Sequence, residues 1–128
     1  MAAITTELFD ASGRPIQVVL PRSESGRSTG TTTASYVAAL TWNCSHLRGK
    51  SIHLVNTHAT LTLYYKLLAT YNTAQTAGKE DELVAQTSLG VGTDARMTYN
   101  NEYSQLVLQV VDNSGHATYE VNWIGKEG

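Results

Sequence analysis

Apolar and polar residues alternate along residues 51–71, SIHLVNTHATLTLYYKLLATY. Four large side chains fall at every second position of its second half: Leu61, Leu63, Tyr65 and Leu67. A period of two is typical of a β-strand with one buried face. Ile52 and Leu54 form a similar run before them, and the short polar residues 56–58 between the two runs favour a turn. The pattern therefore predicts a β-hairpin at the centre of the chain.

Further alternating runs precede and follow this stretch, and they cover residues 36–42, 83–89, 106–110 and 119–123. The sequence DNSG at residues 112–115, between the last two runs, has the composition of a four-residue hairpin loop. Strands that recur at intervals of about ten to twenty residues, with turn residues between them, are typical of all-β folds. We therefore expect an antiparallel β-sandwich or a jelly-roll-like barrel. Its core is expected to contain Trp42, Tyr65, Leu106, Leu108 and Trp123.

Residues 1–34 differ in composition from the rest of the chain. Short apolar runs around residues 8–9 and 16–20 flank a stretch that is dense in turn residues. The next residues, RSESGRSTGTTTAS, contain almost nothing to bury, so they do not recover their ordering entropy by burial. We predict an extended N-terminal arm with a Ser/Thr/Gly-rich linker over residues 1–34 and a β-sandwich domain over residues 35–128. The alternative is that the run at 16–20 is the first strand of the sandwich.

An apolar arm needs a cover, because an exposed hydrophobic edge with unpaired backbone groups promotes aggregation. Its own domain can cover it as an added first strand, or a neighbouring subunit can do so by strand addition. Tyr64 is adjacent to Tyr65, so one ring faces the core and the other faces outward, where tyrosine is favoured at interfaces. We predict six partner-binding residues: Leu8, Phe9, Ile16, Val18, Leu20 and Tyr64.

The composition limits the classes of partner and compartment. Only 16% of the 128 residues are charged and the net charge is −2, whereas binding to nucleic acid through phosphates needs clustered Lys and Arg. No stretch approaches the ~20 apolar residues of a transmembrane helix. We therefore expect neither a nucleic-acid nor a membrane partner. Cys44 is the single cysteine, which excludes an intrachain disulfide and fits a protein assembled inside a cell.

Residues suited to catalysis or metal binding are sparse. His53 and His58 are five residues apart, which puts them on opposite faces of one strand, and no metal-ligand spacing accompanies them. The acidic run at 80–82 has oxygen ligands for a cation such as calcium, but such a run is also typical of a solvated loop tip. No serine lies in a GxSxG nucleophile elbow. We expect no enzymatic activity, no metal and no cofactor.

Residues 51–73, 81–92 and 102–125 contain in succession an asparagine turn, a tyrosine-lysine strand, a glycine-ended strand and a final hairpin. This succession resembles small β-sandwich virion structural proteins of tailed bacteriophages, of the capsid-decoration or cement type. The resemblance covers residues 35–125 and carries over no catalytic residue. It implies a non-enzymatic structural protein of the virion, assembled in the host cytoplasm.

The partners implied by this resemblance are the major capsid protein or other virion proteins, and the implied state is a homo-oligomer such as a trimer. Two alternatives stay open. One is a neck, tail or baseplate component of the virion. The other is a carbohydrate-binding β-sandwich module, which would use exposed aromatic residues on a sheet face.

Overall fold

A computed structural model describes residues 5–9, 15–19, 23–72, 74–100, 102–114 and 116–127, with side chains from residue 23 onward. These ranges contain no helix and form β1 (Thr5–Phe9), β2 (Pro15–Val19), β3 (Ser23–Thr31), β4 (Val37–Asn43), β5 (Gly49–Asn56), β6 (Leu63–Thr70), β7 (Asp81–Leu89), β8 (Asp94–Tyr99), β9 (Gln105–Val111) and β10 (Thr118–Lys126). Every strand pair is antiparallel.

Strands β3 to β10 form two four-stranded sheets, termed sheet I and sheet II. The order is β3-β10-β5-β8 in sheet I and β4-β9-β6-β7 in sheet II. Apart from β6 and β7, successive strands alternate between the sheets, which is the arrangement of a jelly roll. The prediction of an antiparallel β-sandwich or a jelly-roll-like barrel is therefore confirmed, and the two sheets form a sandwich.

The core lies between the two sheets, and the strands bury alternate residues towards it. Ile52 and Leu54 of β5 are buried, as are Leu63 and Leu67 of β6, so the faces predicted from the alternation are confirmed. The expected core residues that are buried are Trp42, Tyr65, Leu106 and Leu108. Trp123 is half-buried and packs against the edge of this cluster.

The two predicted hairpins, at residues 51–71 and around residues 112–115, are wrong. Strands β5 and β6 lie in different sheets, and so do β9 and β10. Alternation does not separate these cases, because a half-buried strand has the same period whether its neighbour pairs with it or faces it across the core. The buried side chain of Asn56 stabilises the connection from β5 to β6, which passes from one sheet to the other. Its amide donates to the carbonyl oxygens of Leu61 at 2.8 Å and Leu89 at 2.9 Å.

The predicted Ser/Thr/Gly-rich linker is also wrong, because residues 23–31 form β3 and pair with β10 along its whole length. Two glycines of β3 lie opposite aromatic residues, Gly26 opposite Trp123 and Gly30 opposite Tyr119. A Cβ atom on Gly26 would lie 2.3 Å from the Trp123 ring, so the ring fills the space that a β3 side chain would need. Aromatic residues that cover glycines of an edge strand stabilise the pairing in this way.

The N-terminal hairpin, formed by β1 and β2, is joined to the sandwich by residues 20–22. The sandwich therefore begins with β3 and not at residue 35, and the connection is much shorter than the predicted linker. β2 contains most of the apolar run at 16–20 and pairs with β1 in a separate two-stranded sheet. It is hydrogen-bonded to neither sheet of the sandwich.

Candidate functional site

Five of the predicted partner-binding residues belong to the N-terminal segment. Leu8 and Phe9 lie in β1, Ile16 and Val18 lie in β2, and the backbone register places Leu8 opposite Ile16. Their side chains, and all of Leu20, lie outside the described part of the structure. Their role in binding a partner stays a prediction.

The sixth predicted residue, Tyr64, lies on the outward side of β6 and is half-buried. It belongs to a charge-poor surface, termed the Tyr64 face, made of outward residues of the two central strands of sheet II: Tyr64, Lys66, Leu68, Gln105, Val107 and Gln109. Leu68 pairs with Val107, so two half-buried aliphatic side chains adjoin at the centre of this face. Tyr65 points the other way and is buried.

Lys66 is the charged member of the Tyr64 face, and an aromatic ring partly covers it. Its ammonium lies 4.3 Å from the centroid of the Tyr36 ring, which is a favourable cation–π contact. The Tyr36 hydroxyl donates to Gln86 Oε1 at 2.7 Å. Burial, helped by the nearby Glu82, raises the pKa of Tyr36, so its hydroxyl stays protonated as a donor. The face therefore presents amides, aromatic edges and aliphatic groups more than free charge.

The outward surface of sheet I, termed the His53 face, is charged. One row across its four strands consists of Arg27, Asn122, His53 and Arg96. Arg27 pairs with Glu120, while His53 Nε2 lies 2.7 Å from Asp94 Oδ2. Arg96 lies 3.5 Å from the same carboxylate oxygen. The charges of this face are thus paired with one another.

His53 and Asp94 form part of the arrangement that a serine nucleophile requires. The described geometry does not complete it, because the hydroxyl of Ser51 lies 3.1 Å from the hydroxyl of Thr98 and makes no hydrogen bond to the imidazole. The hydrogen bond from His53 lowers the pKa of Asp94, against a smaller opposing effect of burial and with help from Arg96. Asp94 is therefore an ionised carboxylate that binds His53 and Arg96 on this surface.

A second polar cluster lies where β3 begins. Glu24 accepts a hydrogen bond from Trp42 Nε1 at 3.2 Å and is paired with His46 Nε2. Burial raises the pKa of Glu24, but the hydrogen bonds from Trp42 and His46 together outweigh it, so that the pKa is lowered overall. This cluster ties the start of β3 to β4 and to the turn after it.

Cys44 and Lys50 are both buried at this end of the molecule. Burial raises the pKa of the Cys44 thiol and lowers that of the Lys50 ammonium, and each group partly offsets the shift of the other. The thiol contacts the Tyr103 carbonyl oxygen at 3.5 Å, and Lys50 donates to the Arg48 carbonyl oxygen at 3.1 Å. A buried, protonated thiol is unreactive, so Cys44 has a structural role.

Among the described side chains, no group of three or more His, Cys, Asp or Glu residues is placed to hold a metal ion. The acidic run at 80–82 forms no such group there. The described residues also include no helix long and apolar enough to cross a membrane.

The sequence pattern did not indicate the His53 face. The outward positions of β5 were predictable, because Ser51 and His53 alternate with the apolar Ile52 and Leu54. The residues beside them were not, since His53 and Asp94 are 41 positions apart in the chain. Neighbours on other strands become visible only when the strand order is known.

Comparison with solved structures finds similar folds at low sequence identity. A protein of the disulfide-linked pili that form Bacillus endospore appendages has a TM-score of 0.61 and 11% identity, over 84% of this chain and 87% of that chain. PirA has a TM-score of 0.54 and 12% identity over 80% and 93%. The SPBc2 prophage-derived protein YomS has a TM-score of 0.52 and 11% identity over 86% and 99%.

No protein-family model matches the chain, and no curated protein matches it either. At the identities found, the likeness to solved structures shows the fold alone. This chain is similar in fold to these three proteins over most of its own length and most of theirs.

Proposed function

We propose that this chain is a non-enzymatic structural protein of a phage virion, of the capsid-decoration type, which assembles through its N-terminal hairpin and its Tyr64 face. The observation that carries the proposal is that β1 and β2 form a sheet of their own, hydrogen-bonded to neither sheet of the sandwich. A two-stranded hairpin alone is at best marginally stable in water. It needs a further strand or surface, and a neighbouring subunit provides one.

The backbone register of the hairpin supports an apolar contact surface. Leu8 lies opposite Ile16, and Thr6 lies opposite Val18. Opposite residues share one face of an antiparallel pair. One face of the hairpin therefore has three apolar positions and a threonine, which is a composition that needs cover.

The free edge of β3 is the acceptor that we propose for this hairpin. β3 is an edge strand of sheet I, and its nine residues pair with β10 on one side. An edge strand offers unpaired N–H and C=O groups to another strand, and the added strand gains main-chain hydrogen bonds. The sequence of β3, SESGRSTGT, contains neither proline nor lysine, the residues that commonly prevent such pairing.

Because residues 20–22 join β2 to β3, each hairpin is tethered close to such an edge. Two copies that meet at their β3 edges therefore bring both hairpins near both acceptors. Exchange of identical elements between copies is a common route to oligomers. The same geometry permits pairing within one copy, so the test must separate the two.

Pairs of cysteines introduced into the full chain distinguish pairing between copies from pairing within one copy. We expect Val18→Cys on β2 with Ser25→Cys on β3 to give disulfide-linked dimers and larger species on a non-reducing gel, since strand addition brings these strands together between copies. Native Cys44 is buried and does not interfere. Val18→Cys with Thr98→Cys is the matched control, because β8 is the other edge of sheet I. That control should stay monomeric on the gel.

An internal disulfide in the Val18→Cys, Ser25→Cys monomer would mean that the hairpin packs on its own sandwich, and the locking role would be wrong. Sedimentation velocity of the unmodified chain is the second test, and it measures the oligomeric state as a function of concentration. We expect an oligomer that dissociates on dilution. A monomer at all concentrations would also overturn the proposal.

The Tyr64 face is the second contact in the proposed assembly. Its aromatic, aliphatic and amide groups, with one charge covered by Tyr36, have the composition of an interface centre. It lies on sheet II, whereas the proposed acceptor edge lies on sheet I. A copy locked to its neighbour through β3 thus keeps the Tyr64 face open for the shell of the particle.

A further inference from the structure

A depression on the His53 face lies over β5, between side chains of β10 and β8. Its volume is about 300 Å³, at the lower end of the range for small-molecule sites. Two successive rungs of sheet I surround it, and they consist of Ile124, Ser51 and Thr98 and then of Asn122, His53 and Arg96. The small side chain of Ser51, between the larger Ile124 and Thr98, leaves the space.

The depression has hydrogen-bonding groups that the described residues do not use. The side-chain amide of Asn122 makes no hydrogen bond within the described part of the chain, so it offers a donor and an acceptor. His53 uses Nε2 towards Asp94, which leaves Nδ1. Arg96 holds Asp94 through one terminal nitrogen, and its side chain is 76% exposed, which leaves other guanidinium donors.

The depression also has an apolar wall and little net charge. Ile124 is 57% exposed, so its aliphatic side chain forms an apolar surface beside the polar groups. Asp94 already compensates the charge of Arg96, so a highly charged anion gains little at this position. A ligand that uses all these features has hydroxyl or amide groups on one edge and an apolar face.

We propose that this depression binds a neutral sugar unit, a hexose or an N-acetylhexosamine, of a glycan. Asn122 and Arg96 contact the hydroxyl groups of the ring, and Ile124 packs against its C–H face. Few precisely placed polar groups on an apolar wall are what fixes a small ligand in a protein site. The proposal does not depend on the assembly role, because the depression shares no residue with the hairpin or the Tyr64 face.

The test is a titration of the full ¹⁵N-labelled chain with the methyl glycosides of glucose, mannose, galactose and N-acetylglucosamine. We expect at least one probe to give saturable shifts, confined to amides of β5, β8 and β10 around Ser51. Asn122→Ala should weaken that binding roughly tenfold, as expected for lost hydrogen bonds. Asn113→Ala removes an exposed side-chain amide from the loop between β9 and β10, outside the depression, and should leave the affinity unchanged.

Thermal unfolding of both variants confirms that the fold is kept. Non-saturating shifts with all four probes would overturn the proposal, and so would shifts that lie away from these rungs. Binding that Asn122→Ala leaves unchanged would do the same. Methyl glucuronide is the fifth probe. If it binds and the neutral glycosides do not, Arg96 recognises a carboxylate and the assignment to a neutral sugar is wrong.

Discussion

Two glycines in sandwich strands have opposite surroundings at the residue scale. A Cβ atom at Gly26 would lie 2.3 Å from the Trp123 ring, whereas one at Gly49 would meet nothing nearer than Asn100 Oδ1 at 4.0 Å. Neither glycine has a positive φ. The absence of a side chain is therefore a packing requirement at Gly26 and not at Gly49.

We expect Gly26→Ala to lower the free energy of unfolding by about 1–3 kcal/mol, the usual effect of overpacking, because the ring must leave its place against β3. Gly49→Ala is the matched control, and it should be neutral or stabilising by up to about 1 kcal/mol, since alanine loses less backbone entropy in a strand. Urea unfolding measures both. Equal effects of the two substitutions would mean that Trp123 does not depend on Gly26.

Glu24 gives the stability of the fold a pH dependence. Its pKa in the folded chain is lowered below the ordinary value of 4.5, so its ionised form contributes stability that is present above that value. This contribution is lost as the pH falls through the folded-state pKa. The groups responsible are Trp42 and His46, both of which hydrogen-bond the carboxylate.

Glu24→Gln should therefore lower Tm at about pH 7, and the difference from the parent should shrink as the pH falls through the folded-state pKa of Glu24, where the parent carboxylate takes up a proton. Glu102→Gln is the control, since it removes an exposed carboxylate that pairs with Arg48. It should leave the pH profile of the parent unchanged. A difference for Glu24→Gln that is the same above and below the folded-state pKa would show that its charge is not what stabilises β3.

At the element scale, alternation predicted strands β4 to β7, β9 and β10 and the buried faces of β5, β6 and β9, but it did not predict the order of the strands. The side chain of Asn56 shows why. The sequence pattern predicts a turn at Asn56. In the fold, its buried amide hydrogen-bonds the carbonyl oxygens of Leu61 and Leu89 and so stabilises the connection from β5 to β6. Both roles have the same local sequence, so the choice depends on long-range contacts.

The alternation in β4 also departs from a strict period of two. Ala38 faces outward, while Ala39 and Leu40 are both buried, because the register with β9 shifts between Ala38 and Leu40. Such an irregularity adds one residue to one strand of a pair. No local feature of the sequence predicts the register shift between Ala38 and Leu40.

β3 is an element that the sequence did not reveal, because it has no apolar side chain of its own. Its stability comes from the rings of Tyr119 and Trp123, which lie over its glycines. The ion pair of Arg27 with Glu120 joins residues 93 positions apart. Composition alone therefore classified a strand as a linker.

Two truncations distinguish the strand from the linker. Removal of residues 1–22 should leave a cooperative sandwich with little change in Tm. Removal of residues 1–31 also deletes β3 and uncovers Trp123 and Tyr119, so we expect a loss of at least about 3 kcal/mol, a large part of the stability of a domain of this size. Circular dichroism with thermal unfolding measures both. Equal stability of the two truncated chains would contradict the role of β3.

At the scale of the whole molecule, the sandwich has two unlike outer faces. The His53 face carries charges that are paired with one another, as for Asp94 with Arg96 and Glu120 with Arg27. The Tyr64 face has Lys66, which lies against the Tyr36 ring. The outward position of Tyr64 was predictable from its neighbour Tyr65. Its neighbours on β9 were not, because they depend on strand order.

Val107 and Val55 offer a matched pair for testing these two faces. Both are half-buried, both point outward, and each lies on a central strand of its sheet. A lysine at position 107 would put an ammonium group at the centre of the Tyr64 face, where an interface would have to desolvate it. A lysine at position 55 would lie opposite Glu120 and Asp94, on a surface that is already charged.

We therefore expect Val107→Lys to abolish co-sedimentation with virion particles assembled without this protein, and Val55→Lys to retain it. Both variants should keep the parent Tm and the hairpin-dependent oligomer, because neither position lies in the hairpin or on β3. Retention of binding by Val107→Lys would exclude the Tyr64 face as the docking surface. Loss of binding by Val55→Lys with retention by Val107→Lys would assign the docking to the His53 face, and the orientation proposed for this protein on the particle would be reversed.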